Sequence, residues 1–377
     1  MTVDQPNYSG IYSGTQITLS QVELPQKHIV YGNEFPYALQ FNHPGELLDD
    51  KVEFLKDLAA KGTIEELLTK HGAVLFRGAG SGASETFSKL VTGVETSRGL
   101  KPFEQIGLAG KRHLRAENVF TANEGPQTKR FYQHNEYSRY TIFPSNIHFF
   151  CQKAPMVGGD TPIAHSAEFF QKVQERYPEV IEKLSQKKLK SSQFYPSRQG
   201  KISFKGNEFY WQDEDGFGQL IEEGDSEEEK KRKAEIMVRK LTDEFEWAED
   251  GGLTIHQYVP CIRVHPKTNR PTLFNGLVGR FGTIKDVGAA EPPHMGTDGG
   301  YYPPLVYEDG EKVDNDLMEK LWRTSIELEY NHKWQEGDLL LVDNVQVSHG
   351  RQPWSEGDRV ILVSMWDNGI TPEVYKA

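Results

Sequence analysis

Cysteine is scarce in this sequence, and its scarcity excludes one class of protein. The 377 residues include two cysteines, Cys151 and Cys261, in separate strand-like segments. So few cysteines exclude a small secreted scaffold held together by several disulfides. We expect both side chains to be buried free thiols in a reducing cytoplasm, with one disulfide between them as the open alternative.

Long apolar runs and an excess of positive charge are also missing. No apolar stretch approaches the ~20 residues of a membrane-spanning helix, and the segment Met1–Pro6 lacks the basic and apolar regions of a signal peptide. Acidic residues outnumber basic ones by 55 to 43, which gives a net charge of -12. The composition argues against nucleic-acid and membrane partners and favours a cytoplasmic protein that acts on a small molecule. Nothing in it indicates an oligomeric state.

Short apolar runs are what the sequence contains instead, and they predict buried strands. Between them, the charged segments 166–188 and 225–246 have helical character. This pattern predicts a mainly β fold with α decorations, forming a single domain over residues 1–377 with a helical insertion at about 166–250. The predicted strands are Ala73–Phe76, Ile147–Cys151, Tyr258–Val264, Leu339–Val342 and Arg359–Met365.

Two other stretches have a distinct local character. Residues 48–72 carry apolar side chains at helical spacing, which predicts a helix across this range. Residues 276–304 are rich in glycine and proline, which predicts a long functional loop.

The residues best suited to metal chemistry lie in two segments far apart in the sequence. His134 and Glu136 are separated by one residue, so an extended backbone would place both side chains on one face. His349 follows a predicted strand near the C-terminus. Two imidazoles and one carboxylate on one face of a metal leave the opposite face open, as in non-haem Fe(II) oxygenases. The spacing alone does not distinguish Fe(II) from Mn or Zn. It also does not distinguish a metal ligand from a histidine that only packs in the core.

An arginine near these residues suits an anionic cosubstrate. Arg359 begins the last predicted strand, ten residues after His349. A guanidinium there could hold a carboxylate through two parallel hydrogen bonds, although a surface ion pair is the alternative. Arg351 is the competing candidate, but its position in a tight turn favours a role in bracing the loop.

Together these motifs resemble the TauD/TfdA superfamily of Fe(II)/2-oxoglutarate dioxygenases, and within it the clavaminate-synthase-like branch. The resemblance extends over roughly residues 70–366, with the motifs in the family's order. Many superfamily members carry His-x-Asp, whereas this chain has Glu136. The clavaminate-synthase-like branch uses Glu, so this difference supports the branch. The matching segments are Gly72–Gly78, His134–Glu136, Gly158–Pro162, Gly337–Asn344, and His349–Arg351 with Arg359.

The resemblance implies a fold, a cosubstrate and residue roles. The fold would be a double-stranded β-helix, or jelly roll, with the metal site at its mouth. His134, Glu136 and His349 would bind Fe(II), and O2 would be consumed. Arg359 would pair with the distal carboxylate of 2-oxoglutarate, and Thr161 would hydrogen-bond to it. The alternative for Thr161 is a turn residue after two glycines.

Four residues near these motifs are candidates for binding the substrate. Tyr132, Asn135 and Arg139 flank the first two metal ligands, and Arg280 lies in the predicted loop. Arg139 could hold an acidic substrate, with a structural ion pair as the alternative. Arg280 could grip the substrate, with a solvated loop arginine as the alternative.

These observations favour an enzyme. We expect oxidation of an unactivated C–H bond in an amino-acid-like compound or natural-product intermediate, with release of succinate and CO2. One rival is an iron oxidase on the same scaffold that does not consume 2-oxoglutarate. The other is a non-catalytic barrel that binds a metal or ligand.

Overall fold

The computed structural model describes residues 8–43, 47–108, 112–122, 125–200 and 209–377. Two β-sheets that face each other organise this part of the chain. One sheet has ten strands and the other has four, and beside them lie a second four-stranded sheet and three sheets of two or three strands. Eight helices accompany the sheets in the described residues. The prediction of a strand-rich fold with α decorations is therefore confirmed.

Seven of the helices pack on the outer faces of these two sheets, whereas the sixth in chain order packs against the core between them. The helices are α1 Leu48–Ala60, α2 Thr63–His71, α3 Ser84–Ser97, α4 Ser166–Arg176, α5 Pro178–Gln186, α6 Glu227–Val238, α7 Leu277–Asp286 and α8 Asn315–Glu327.

The strands are mostly short and antiparallel. They are β1 Tyr8–Tyr12, β2 Thr15–Gln21, β3 His28–Val30, β4 Asn33–Phe35, β5 Tyr37–Phe41, β6 Ala73–Arg77, β7 Lys101–Pro102, β8 Leu114–Ala116, β9 Val119–Thr121, β10 Phe131–His134, β11 Asn146–Lys153, β12 Val157–Gly158, β13 Thr161–His165, β14 Leu189–Tyr195, β15 Phe245–Trp247, β16 Leu253–Val259, β17 Ile262–Val264, β18 Pro271–Leu273, β19 Val306–Tyr307, β20 Tyr330–His332, β21 Leu339–Asp343, β22 Val347–Arg351, β23 Trp354–Glu356, β24 Val360–Asp367 and β25 Glu373–Val374.

The order of strands brings distant parts of the chain together. The ten-stranded sheet runs β1-β2-β5-β6-β21-β11-β24-β9-β8, with β7 paired to β24, and the four-stranded sheet runs β10-β22-β13-β20. In the smaller sheet, His134 pairs with His349 and Ile163 pairs with His349 on the other side. Residues more than 200 positions apart in the sequence thus become neighbours.

The side chains of the central strands alternate between two apolar layers. On β6, Leu75 belongs to the core between the two sheets, while Val74 and Phe76 belong to a core shared with α1, α2 and α3. This period of two is what an extended strand buried on both faces requires. A third core lies between the four-stranded sheet and α4, α5, α7 and α8.

Two predicted elements differ from the structure. The segment 276–304 was expected to be a loop, but Leu277–Asp286 forms helix α7. Its glycines allow close packing, because a Cβ on Gly282 would lie 2.3 Å from the Tyr132 ring. The helix expected over 48–72 is instead two helices separated at Gly62, whose φ of +79° interrupts the helix.

The segment predicted as a helical insertion is of mixed structure. It contains α4, α5 and α6, but also β14, which pairs along its full length with β16. Residues 201–208 of this segment lie outside the described part of the chain. No helix in the described ranges is long and apolar enough to cross a membrane. Both cysteines are buried and free, as expected.

Candidate active site

The side chains of His134, Glu136 and His349 meet between the two large sheets. One ligand atom from each lies within 4.8 Å of the others. The Glu136 Oε2 atom is 3.3 Å from the His349 Nε2 atom, and the two imidazole centroids are 4.6 Å apart. Ligands at ~2.1 Å from a metal and at right angles to each other lie roughly 3 Å apart. The cluster therefore fits a metal bound on one face by two imidazoles and a carboxylate.

The protonation of these residues suits metal binding. His134 donates its Nδ1–H to the Tyr132 carbonyl at 2.9 Å, a tautomer that leaves Nε2 free as a ligand. Burial, together with His349, lowers the pKa of His134 to about 4. Burial opposes ionisation of Glu136, but Arg112 and His349 outweigh it and hold the pKa of this carboxyl well below its usual range. At neutral pH the site thus offers a neutral imidazole and a carboxylate.

The turn after β21 holds the Glu136 segment in place. Strand β10 ends at His134, so Glu136 lies just beyond it in a turn. Asn344 accepts a hydrogen bond from the Glu136 N–H at 2.8 Å and donates to the Glu136 carbonyl at 3.1 Å. The position of Glu136 therefore depends on a side chain more than 200 positions away, which the spacing of His134 and Glu136 does not indicate.

Arg112 is a site residue that the sequence did not indicate. Its Nη2 donates to the Glu136 Oε1 at 2.7 Å, and its Nη1 lies 3.4 Å from the Met365 Sδ. The guanidinium therefore holds one carboxylate oxygen, while the other faces His349. Arg112 belongs to no recognisable motif, so only the tertiary structure identifies it.

Thr161 and Arg359 lie together, as the resemblance implies. Arg359 donates from Nη2 to the Thr161 Oγ1 at 3.0 Å and from Nε to the Gly159 carbonyl at 2.7 Å. No described carboxylate forms an ion pair with Arg359. Burial, and then the charge of Arg351, lowers the pKa of Arg359 to about 10. A half-buried guanidinium without an acidic partner is a suitable site for an anionic group.

The position of Thr161 relates this pair to the metal cluster. Ile163 pairs with His349, and Thr161 lies two residues from Ile163 on the same face of β13. The step between them is about 7 Å. Gly158 and Gly159 precede Thr161 with φ of +78° and +75°, and a Cβ on Gly159 would lie 3.0 Å from the Arg359 Cδ. Glycine is thus needed here for both the backbone conformation and the approach of Arg359.

Arg351 has the predicted bracing role, although it ends strand β22 and does not lie in the predicted tight turn. It donates to the carbonyls of Gly125, Pro126 and Lys129. Its guanidinium also lies 4.2 Å from the Phe131 ring centroid. These contacts use the side chain to hold the loop before β10.

The chain matches a known protein family over most of its length. Residues 36–366 match the model of the family described as "Taurine catabolism dioxygenase TauD, TfdA family". This chain belongs to the TauD/TfdA family of dioxygenases. The membership confirms the predicted oxidoreductase class. Together with the His134, Glu136 and His349 cluster, it confirms the prediction of iron and 2-oxoglutarate.

Individual proteins align with this dioxygenase over most of its length. The dapdiamide synthesis protein DdaC of Enterobacter agglomerans is 28% identical over 305 residues, or 81% of this chain and 84% of that protein. The clavaminate synthase-like protein of Arabidopsis thaliana is 28% identical over 302 residues, or 80% and 83%. The crystal structure of PvcB from Pseudomonas aeruginosa is 15% identical with a TM-score of 0.48, covering 95% and 94%. A taurine dioxygenase from Burkholderia xenovorans is 14% identical with a TM-score of 0.47, covering 92% and 91%.

Two of the predicted substrate-binding residues have structural contacts in this dioxygenase. Tyr132 donates its hydroxyl hydrogen to Asp286 at 2.9 Å and packs beneath α7. Asn135 donates to the Asn344 and Val347 carbonyls and accepts from the Asn275 N–H. These bonds engage both ends of the buried amide, so the side chain braces the backbone around it.

The other two predicted substrate-binding residues of this dioxygenase lie near each other without acidic partners. Neither the Arg139 nor the Arg280 guanidinium forms a hydrogen bond or ion pair with a described residue, and Arg280 lies 5.4 Å from the Tyr302 ring centroid. Burial, and then the charge of Arg139, lowers the pKa of Arg280. Gly279 brings this part of α7 close to the metal cluster, because its Cβ would lie 3.6 Å from the His134 Cβ.

Proposed function

We propose that this chain is an Fe(II)/2-oxoglutarate-dependent dioxygenase that oxidises an unactivated C–H bond of an anionic small molecule. His134, Glu136 and His349 would hold the metal. Bound iron supplies the oxidising chemistry, in which O2 and 2-oxoglutarate are consumed and succinate and CO2 are released. The observation that supports this most is the cluster of ligand atoms within 4.8 Å of one another, on the sheet that also carries Thr161.

Arg359 and Thr161 would hold the distal carboxylate of 2-oxoglutarate. Support comes from the hydrogen bond between them at 3.0 Å and from the absence of a described acidic partner for Arg359. A half-buried guanidinium is stabilised by an anion, and its planar group matches both carboxylate oxygens. This role orients the cosubstrate so that its other end reaches the metal.

Arg139 and Arg280 would bind a carboxylate of the substrate. Arg280 is half-buried and Arg139 is exposed, and neither guanidinium has a described acidic partner. Their lack of acidic partners supports a substrate such as an amino acid or a natural-product intermediate with a carboxylate. Tyr132 and Asn135 would stabilise the walls of the substrate pocket through their hydrogen bonds to other residues.

The two facing sheets would form one double-stranded β-helix, and the chain would be a single domain with 166–250 as its insertion. The continuous apolar core between the sheets supports this arrangement. The free, buried thiols of Cys151 and Cys261 accord with a reducing, cytoplasmic location.

Succinate release tests this function directly. Protein purified without oxygen would be given Fe(II), 2-oxoglutarate and O2, with a panel of amino-acid-like carboxylates and their matching amides. We expect one or more carboxylates to raise succinate release above the level without substrate, and their amides to raise it less. Oxidation of a compound without succinate would indicate instead an oxidase that does not use 2-oxoglutarate.

Variants of the metal ligands test the assignment of the site. His134→Ala and His349→Ala should lose bound iron and all turnover, because each removes one of three ligands. Glu136→Asp should keep part of the activity, and Glu136→Ala should lose far more. His256→Ala removes a histidine that contacts Ser192 on another sheet, and it should behave as the wild type. Unchanged iron content in His134→Ala or His349→Ala would remove that residue from the site.

A further inference from the structure

Trp334 makes a hydrogen bond whose partner lies in the proposed cosubstrate site. Its indole Nε1–H donates to the Thr161 Oγ1 at 2.9 Å, and both side chains are buried. The His332 ring lies edge-on to the indole with centroids 4.4 Å apart, which limits movement of the tryptophan. Trp334 lies between β20 and β21, outside the motifs that indicated the site.

The Thr161 hydroxyl thus receives two hydrogen bonds. Arg359 Nη2 donates to the same oxygen at 3.0 Å. A hydroxyl has two acceptor positions and one hydrogen. Trp334 and Arg359 occupy both acceptor positions, so the hydrogen must point elsewhere. No described residue accepts a hydrogen bond from it.

The free hydrogen matters because of what lies near it. Thr161 faces the same side of β13 as Ile163, which pairs with His349, so the hydroxyl lies along the strand from the metal cluster. Arg359 still has unused N–H groups beside it. The Thr161 O–H and the unused Arg359 N–H groups can therefore donate to the same acceptor. A carboxylate has enough acceptor positions for both.

We propose that Trp334 is a positioning residue for 2-oxoglutarate, acting through Thr161. Its indole N–H occupies one acceptor position of the Thr161 hydroxyl and so commits the hydroxyl hydrogen to the distal carboxylate of the cosubstrate. This inference rests on the proposed function. It assigns part of the selectivity for a five-carbon diacid to a residue that does not touch it.

A structural role for Trp334 would give a different result from a positioning role. If the indole only fills space, its loss should weaken all 2-oxo acids alike. If it orients the hydroxyl, its loss should weaken only ligands with a distal carboxylate. The pair 2-oxoglutarate and 2-oxopentanoate separates the two, because the second has the same number of carbons and ends in a methyl group.

The experiment combines these ligands with a double-mutant cycle. Wild type, Trp334→Phe, Thr161→Val and the double variant would each be loaded with Fe(II) without oxygen. Each would be titrated with both 2-oxo acids, following the metal-to-ligand charge-transfer absorbance. Trp247→Phe is the matched control, because Trp247 also donates its indole N–H to a side-chain oxygen, that of Glu235 at 2.9 Å.

We expect Trp334→Phe to raise the Kd for 2-oxoglutarate about tenfold and to leave that for 2-oxopentanoate unchanged. The double variant should bind 2-oxoglutarate no more weakly than Thr161→Val, since Trp334 acts through that hydroxyl. Trp247→Phe should match the wild type. Should Trp334→Phe fail to fold, Trp334→His and Trp334→Met replace it. Histidine keeps a ring N–H donor and methionine does not, so their Kd values for 2-oxoglutarate are compared.

The outcomes distinguish this inference from the proposed function. Equal weakening of both ligands, additive effects in the double variant, or no effect of Trp334→Phe would overturn the role of Trp334 while the wild type still binds 2-oxoglutarate. A wild type that binds iron but shows no absorbance change with 2-oxoglutarate would overturn the proposed function, and the role of Trp334 with it.

Discussion

Glu136 shows how a single carboxylate can be divided between two tasks. Its Oε1 accepts from Arg112 at 2.7 Å, while its Oε2 faces His349 at 3.3 Å. A metal bound by His134 and His349 would bind the Oε2 atom of Glu136. The hydrogen bond from Arg112 would keep the Oε1 atom away from the metal. Mutation of a group that orients a metal ligand in this way typically lowers metal affinity or activity by about 10- to 100-fold.

Replacing Arg112 should therefore weaken metal binding without removing a ligand. We expect Arg112→Gln to lower the affinity for Fe(II) by about tenfold or more, because Glu136 loses its fixed orientation. Anaerobic titration with Fe(II) measures this affinity. Arg115→Gln, which changes an exposed arginine three residues away, serves as the control. An unchanged Fe(II) affinity in Arg112→Gln would show that the ion pair does not orient the ligand.

At the residue level, the sequence indicated the candidate site residues that belong to recognisable motifs. It did not indicate those that belong to none. His134, Glu136, His349 and Arg359 stand in fixed relation to predicted strands, so their convergence could be anticipated. Arg112 and Trp334 act through tertiary contacts alone. The hydrogen bonds of the Asn135 amide to the surrounding backbone are likewise visible only in the tertiary structure.

Among the elements, helix α7 shows why composition can mislead. Gly279 and Gly282 suggested a loop, yet in the helix they are the positions that approach β10 most closely. A glycine inside a helix costs about 1 kcal/mol relative to alanine, but it also removes the Cβ that would clash. The strands were easier to predict, because apolar runs such as Leu339–Val342 are buried on both faces.

The start of helix α4 offers an element whose stability should depend on pH. His165 is the N-cap residue, and its Nδ1 accepts from the Ala167 N–H at 3.3 Å. Burial lowers the pKa of His165 from 6.5 to about 3. Protonation therefore favours the unfolded chain. The contribution of His165 is fully present above pH 6.5 and decreases as the pH falls towards about 3.

We expect His165→Asn to reduce the loss of stability in acid. Asparagine is a good N-cap residue that does not titrate. The wild type should lose ~2 kcal/mol between pH 6.5 and pH 5 that the variant retains. Urea unfolding at a series of pH values measures the difference, with the exposed His113→Asn as control. Parallel pH dependence in the wild type and His165→Asn would contradict the assignment.

Over the whole molecule, the charge of the site opposes the charge of the chain. The protein carries a net charge of -12, yet Arg139, Arg280 and Arg359 lack described acidic partners near the metal cluster. A local concentration of positive charge attracts anions even on an acidic protein. This contrast fits an enzyme with one anionic cosubstrate and one anionic substrate.

The central claim is that Arg359 holds 2-oxoglutarate beside a metal bound by His134, Glu136 and His349. Removing the guanidinium leaves the distal carboxylate poorly compensated, at a cost of roughly 3–5 kcal/mol. Each ~1.4 kcal/mol is a tenfold change in binding. Arg359→Ala should therefore weaken 2-oxoglutarate binding by two or more orders of magnitude. Arg359→Lys should fall between, because it keeps the charge but loses the planar group.

Titration of 2-oxoglutarate into the anaerobic Fe(II) protein, followed by charge-transfer absorbance, tests this claim most directly. We predict saturable binding in the wild type, a Kd raised at least a hundredfold in Arg359→Ala, and closely similar iron content in both proteins. An Arg359→Ala protein that binds 2-oxoglutarate as tightly as the wild type would contradict the account.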